Sequence, residues 1–200
     1  MANVSPLLRK GAILTLDPTL GVPLGTIMLQ YNPDTITRSL KPQSVGDEPD
    51  RTEILRLKGP PIETIKCEIE IDATDQLADS DATAMSLGIQ PQLSMLELLL
   101  YPSSSTLIVN EVLSLFGTIE ILPMESALTV FAWSNQRVTP VRITEMEISE
   151  EAFDPQLNPI RAKVSLGLRV LSVNDVGFLT PAGALYLVYQ TSKEAMAQMG

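Results

Sequence analysis

From Ile65 onwards the chain alternates apolar and charged residues: Ile65, Cys67, Ile69 and Ile71 are separated by Lys66, Glu68, Glu70 and Asp72. A period of two puts successive side chains on opposite sides of an extended chain, so this pattern predicts an amphipathic antiparallel strand over Ile62 to Ile71. The same argument holds for Ala162 to Leu171, where Val164, Leu166, Leu168 and Val170 alternate with Lys163, Ser165, Gly167 and Arg169. Further strands are expected at Gly11 to Leu16, Gly25 to Tyr31, Leu128 to Trp133 and Val141 to Ile148. Helical spacing is rarer. Leu93, Leu96, Glu97 and Leu100, bounded by Pro91 and Pro102, predict one short helix packed on a sheet. Near the C-terminus Leu185, Leu187 and Tyr189 fit a strand, whereas SKEAMAQM after them favours helix by composition. The polar stretches Ser39 to Arg51 and Ala73 to Pro91 carry turn residues and are expected to be surface loops, or segments that order on a partner.

A length of 200 residues with 44% hydrophobic and 19% charged residues fits one globular domain with a short appendage, here 1-180 followed by a C-terminal extension, 181-200. The apolar runs are too short for a membrane span of about 20 residues, and no signal peptide is read in the first residues. A net charge of -10, with the lysines and arginines scattered, disfavours nucleic acid as a partner. The single Cys67 sits at an inward strand position, so it is expected to be a buried apolar residue in a reducing compartment.

Candidate chemistry is sparse. With no histidine in the chain, imidazole triads and the commonest metal ligand drop out together. Glu147, Glu150, Glu151 and Asp154 form an acidic cluster, but Ser149 ahead of two glutamates reads as a helix N-cap with favourable first-turn charges. Asp72, Asp75, Asp79 and Asp81 look calcium-like yet lack the turn glycine and closing glutamate of an EF-hand loop. The expectation is no enzyme, no cofactor and no metal site.

Four segments, in order, carry a resemblance: IMLQYNPDTITRSL, then ILRLKGPPIETIKCEIEIDATDQL, then GIQPQLSMLELLLYP, then PVRITEMEISEEAFDPQLNPIRAKVSLGLRVLS. Across Ile27 to Ser172 they resemble the tube and baseplate-hub proteins of contractile injection systems, the phage-tail-like particles of bacteria. The resemblance implies a mainly β (α+β) fold, an antiparallel β-sandwich or barrel of the tube type with a short packed helix, assembling as a hexameric ring. It also implies inner-tube and baseplate or spike proteins as partners, and a place in the bacterial cytoplasm within an assembled particle. Many relatives add a LysM module, for which this chain leaves no room, so a plain adaptor ring is the expectation, with the repeating tube shaft or its cap as alternatives.

The outward positions Lys66, Glu68, Glu70, Lys163 and Arg169, together with the loop from Ser39 to Arg51, are the expected assembly contacts. Arg161 joins them, or else braces its own loop by bonding loop carbonyls or an acid such as Asp154. Pro155 and Pro159 restrict the connection between the last two strands and so fix their register, since a one-residue slip would turn Val164, Leu166, Leu168 and Val170 outward. The rival class is a carbohydrate- or ligand-binding β module. Such sites are built around exposed aromatics, yet aromatic residues make up only 4% and Trp133 falls in an apolar strand where burial is expected.

Overall fold

A computed structural model describes residues 9–44, 56–115 and 126–200. The chain runs β1 (Ala12–Leu16), β2 (Pro23–Met28), β3 (Ile36–Lys41), β4 (Ile62–Asp72), α1 (Thr74–Ala78), α2 (Ala82–Leu87), α3 (Gln90–Glu97), α4 (Ser104–Leu115), β5 (Leu128–Ser134), β6 (Arg137–Phe153), β7 (Pro159–Val170), α5 (Val173–Val176) and α6 (Pro181–Ala197). The strands form one antiparallel seven-stranded sheet in the order β2-β1-β5-β6-β7-β4-β3. The fold is therefore mainly β with several helices, and the sheet is open.

The two alternating segments behave as their periods require. Ile65, Cys67, Ile69 and Ile71 of β4, and Val164, Leu166, Leu168 and Val170 of β7, are all buried and share one core with Ile89, Leu93 and Leu96 around α3. Register keeps the two apolar rows facing the same way: Ile65 lies opposite Leu168, Cys67 opposite Leu166 and Ile69 opposite Val164. A smaller cluster of Leu128, Val130 and Ala182, with Leu14, Leu16 and Leu185 against it, seats the start of α6. Further along α6, Tyr186 and Tyr189 enter the main core. The C-terminal segment is thus a helix that bridges both clusters, capped by the Thr180 hydroxyl, which accepts from the Gly183 N–H at 3.0 Å.

The connection between β6 and β7 answers the register question with more than its prolines. The Asp154 carboxylate accepts from the N–H groups of Gln156 and Asn158 and from the Asn158 side chain, all at 2.8 Å. Backbone bonds Asp154 N to Asn158 O and Leu157 N to Asp154 O, both 2.9 Å, close the turn. Phe153 then pairs with Pro159, and Ile148 with Val164.

Three expectations are corrected. Ser149 does not cap a helix: Ser149 to Phe153 continue β6, because pairing with Pro159 to Lys163 of β7 satisfies their backbone. Ala73 to Pro91 is not a loop but holds α1, α2 and the start of α3, with Asp81 accepting from Ala84 N at 2.8 Å as N-cap. The loop expected from Ser39 begins later, since β3 runs to Lys41 and pairs with β4; its last part lies outside the described residues.

Candidate assembly surface

On the face of the sheet opposite the main core, β4, β7 and β6 set charged residues side by side. Register places Glu70 opposite Lys163, Asp72 opposite Arg161, and Lys66 opposite Gly167. On the other side of β7, Arg161 faces Glu151, Gly167 faces Glu145 and Ser165 faces Glu147. Five of the expected contacts, Lys66, Glu68, Glu70, Lys163 and Arg161, therefore share one surface, and β6 adds Glu145, Glu147 and Glu151. Sequence reasoning left Glu151 out because it turned the chain from Ser149 into a helix start, and it gave Glu145 and Glu147 no part in the surface although both fall in the expected strand Val141 to Ile148.

The couplings across this face are loose. Lys66 Nζ stands 3.9 Å from a Glu145 oxygen with both side chains well exposed, and Arg161 Nε is 3.9 Å from Glu70. Pairs of this kind contribute about 0 to 1 kcal/mol, so Lys66, Glu70 and Glu145 are free to re-pair with another molecule. Gly167 leaves the middle of the face low: a Cβ there would meet Glu145 Cβ at 3.1 Å and Thr144 Oγ1 at 3.2 Å, where β6 carries its extra residue. The Thr144 hydroxyl donates to Gly167 O at 3.0 Å and fills the bulge.

Two residues of the expected set are tied elsewhere. Arg161 does not brace Asp154, whose carboxylate is used up inside its own turn; its Nε donates to Asp72 at 2.7 Å. Burial pushes the Asp72 carboxyl up, but bonds from the Thr74 hydroxyl and N–H and the Arg161 guanidinium together outweigh it, and its pKa falls below the ordinary value. Arg169 donates to Asp175 at 2.6 Å, and Asp175 also closes the capping box of α5 with Ser172. Arg169 thus holds α5 against the sheet.

The most buried charge among the described residues is one the sequence reading passed over. Glu63, 3% exposed, accepts from Arg38 Nε at 2.8 Å, from the Tyr189 hydroxyl at 3.0 Å and from Lys193 Nζ at 3.2 Å. Arg38 Nη2 also donates to the Tyr189 oxygen at 2.9 Å, and Lys193 lies 3.9 Å over the Tyr189 ring. Burial alone would raise the Glu63 pKa; the Arg38 and Lys193 cations reverse this and hold it below the ordinary value. Burial and the Glu63 charge push Tyr189 up to about 12, so the phenol keeps its proton. Every member is engaged by at least one other. The cluster is a clasp that fastens α6 to β3 and β4. One signal pointed to it: Glu63 falls in phase with Ile65 and Cys67, an acid on the buried row.

Below Val141 the ladder between β5 and β6 stops, at Thr129 opposite Val141, and from Arg142 onwards β6 has a strand on one side only among the described residues. An apolar groove of about 770 Å³ opens there, lined by Leu99, Leu128, Ile143, Leu171, Leu179 and Ala182 among others, with Arg142 as its one charged residue. Nearby, α4 leaves Leu107, Ile108, Val109, Val112 and Leu113 between 44% and 64% exposed.

Of the calcium-like acids, Asp72 is committed to Arg161 and Thr74, and Asp81 caps α2. Among the described residues no three His, Cys, Asp or Glu side chains converge as a metal would require. No described helix is long and apolar enough to cross a membrane. Cys67 is buried, and burial pushes its thiol up to about 11. Neither a protein-family model nor a curated protein matches the chain.

Proposed function

We propose that this chain is a non-catalytic structural subunit that works as a ring of six like copies, joining the inner tube of a contractile injection particle to its baseplate or spike. The observation that carries the reading is a sheet that does not finish its own bonding. Among the described residues its outer strands β2 and β3 each have one neighbour, β6 has a strand on one side only from Arg142 to Phe153, and nothing covers the charged face. Such margins invite pairing with another chain, and different margins on one molecule favour head-to-tail contacts that close into a ring. The order of the four resembling segments supports a tube or baseplate-hub ring.

The face built from Lys66, Glu68, Glu70, Lys163 and the β6 acids carries both signs in alternation, which suits contact between copies better than capture of a polyanion. Arg161 and Arg169 serve this surface from within, by holding Asp72 and α5 in place. The reading as a carbohydrate-binding module is weaker, because the groove beside β6 has no aromatic side chain in its lining.

Light scattering and negative-stain images of the purified chain test the proposal. The expected result is a six-chain mass and rings with a central opening, and a count of one ring per particle separates an adaptor from a many-ringed shaft. Rings that dissolve between low and high salt would implicate the charged face. A monomer at every concentration, together with an unringed copy in the native particle, would refute it.

A further inference from the structure

We infer that α4 of one copy seats in the apolar groove beside β6 of a neighbouring copy, locked by an ion pair between Glu111 and Arg142. This rests on the reading of the chain as a self-assembling subunit and names one of its contacts. The helix is unusual for a surface element. Its Ile108, Val109, Val112 and Leu113 make a stripe at helical spacing, and all are exposed by 44% or more. A helix with such a stripe is stable when another surface covers it. Among the described residues none does: no element pair with substantial packing includes α4.

The groove is the complementary half. It is concave and mostly apolar, its volume of about 770 Å³ lies in the range that accepts bulky apolar groups, and exposed Leu179 stands at its rim. Charge supplies the match. Among SSTLIVNEVLSL the single charged residue is Glu111, and among the groove residues the single charged one is Arg142. Neither side chain has an ion-pair partner within the chain among the described residues. Burying the stripe without the pair would strand a guanidinium in an apolar wall; with it, each charge neutralises the other. The helix, 12 residues and about 18 Å long, covers less than a full interface, so it acts alongside the sheet margins.

Two single-cysteine chains test the contact, each in a Cys67→Ala background: Val112→Cys on the helix and Leu179→Cys at the groove. Mixed and oxidised, they should give a disulfide-linked pair that neither gives alone. Glu111→Arg and Arg142→Glu should each weaken self-association at least about tenfold, and the double reversal should restore it. Absence of the mixed cross-link overturns the inference, as does a cross-link formed only inside one chain that carries both cysteines. Rings seen without the cross-link would leave the ring reading standing and remove this contact. A cross-link in a sample that images only as dimers would keep the contact and remove the ring.

Discussion

Replacing Glu63 by alanine takes the anion out of the clasp and leaves two cations and a phenol facing each other. Removing one partner of a buried ion pair destabilises by about 3 to 5 kcal/mol, because the partner stays buried and unpaired. Here the Arg38 and Lys193 side chains remain 27% and 29% exposed, so each regains some water. That places the expected loss at the lower end, about 3 kcal/mol, or about 6 to 12 °C in melting temperature for a domain of this size. The effect has a pH signature. The folded Glu63 carboxyl titrates below its ordinary value, so its contribution is fully present above the unfolded value, about 4.3, and fades as pH falls through the lower folded value. Urea melts of the parent and Glu63→Ala at pH 7 and at steps below pH 4.3 measure both points, with hydrogen exchange across α6 reporting where the structure loosens. A difference under about 1 kcal/mol at pH 7, or one that persists undiminished in acid, would show that the clasp is not what fastens α6.

Gly88 sits at φ 57° after α2, and a Cβ there would meet Pro159 O at 2.1 Å, so Gly88→Ala should lower stability by about 2 kcal/mol or more in a urea melt. Gly183 lies inside α6, where alanine ordinarily adds about 1 kcal/mol; because its Cβ would meet Gly177 O at 2.0 Å, Gly183→Ala should instead lower the melting temperature. Cys67, buried with its thiol pushed up to about 11, should resist a thiol reagent at pH 8 in the folded protein and react at once in urea.

How far the residues announce this structure differs from element to element. The strands β4 and β7 were legible because each keeps a strict period of two over most of its length, and burial follows that period. Helices α1 and α2 were not, because a polar, aspartate-rich stretch looks like a loop until Asp81 is seen to cap a helix whose Ala84 packs into the core. The end of β6 was misread for the opposite reason: SEEAF has weak strand propensity, and only the hairpin partner makes it extended. For the surface, parity alone put Lys66, Glu68, Glu70 and Lys163 on one side. Pairing partners were beyond reach, since Arg161 is 89 residues from Asp72 along the chain and seven residues from the acid it was expected to hold. The Glu63 clasp joins residues 38, 63, 189 and 193, a convergence that only the folded sheet and α6 produce.

The same logic of unfinished bonding yields a prediction at a place where the chain closes a margin of its own. Beyond Cys67, β4 has lost β3 as a neighbour, since that ladder begins at Ile36 opposite Cys67. Gln30, just past β2, takes the vacant side: its amide donates to Asp72 O at 2.6 Å and its carbonyl accepts from Asp72 N at 3.0 Å. One side chain thereby acts as a peptide group and ties the β2 end of the sheet to β4. Gln30→Ala leaves a partly buried N–H and C=O without partners and should destabilise by about 2 kcal/mol. Gln30→Glu keeps the acceptor, loses the donor and sets a carboxylate against Asp72 O, so it should be at least as damaging. Exchange at the Asp72 amide is the local readout and should quicken well before the bulk of β4 does. Should that amide stay as protected in Gln30→Ala as in the parent, the tie would be incidental and the margin of β4 would have to be shielded some other way.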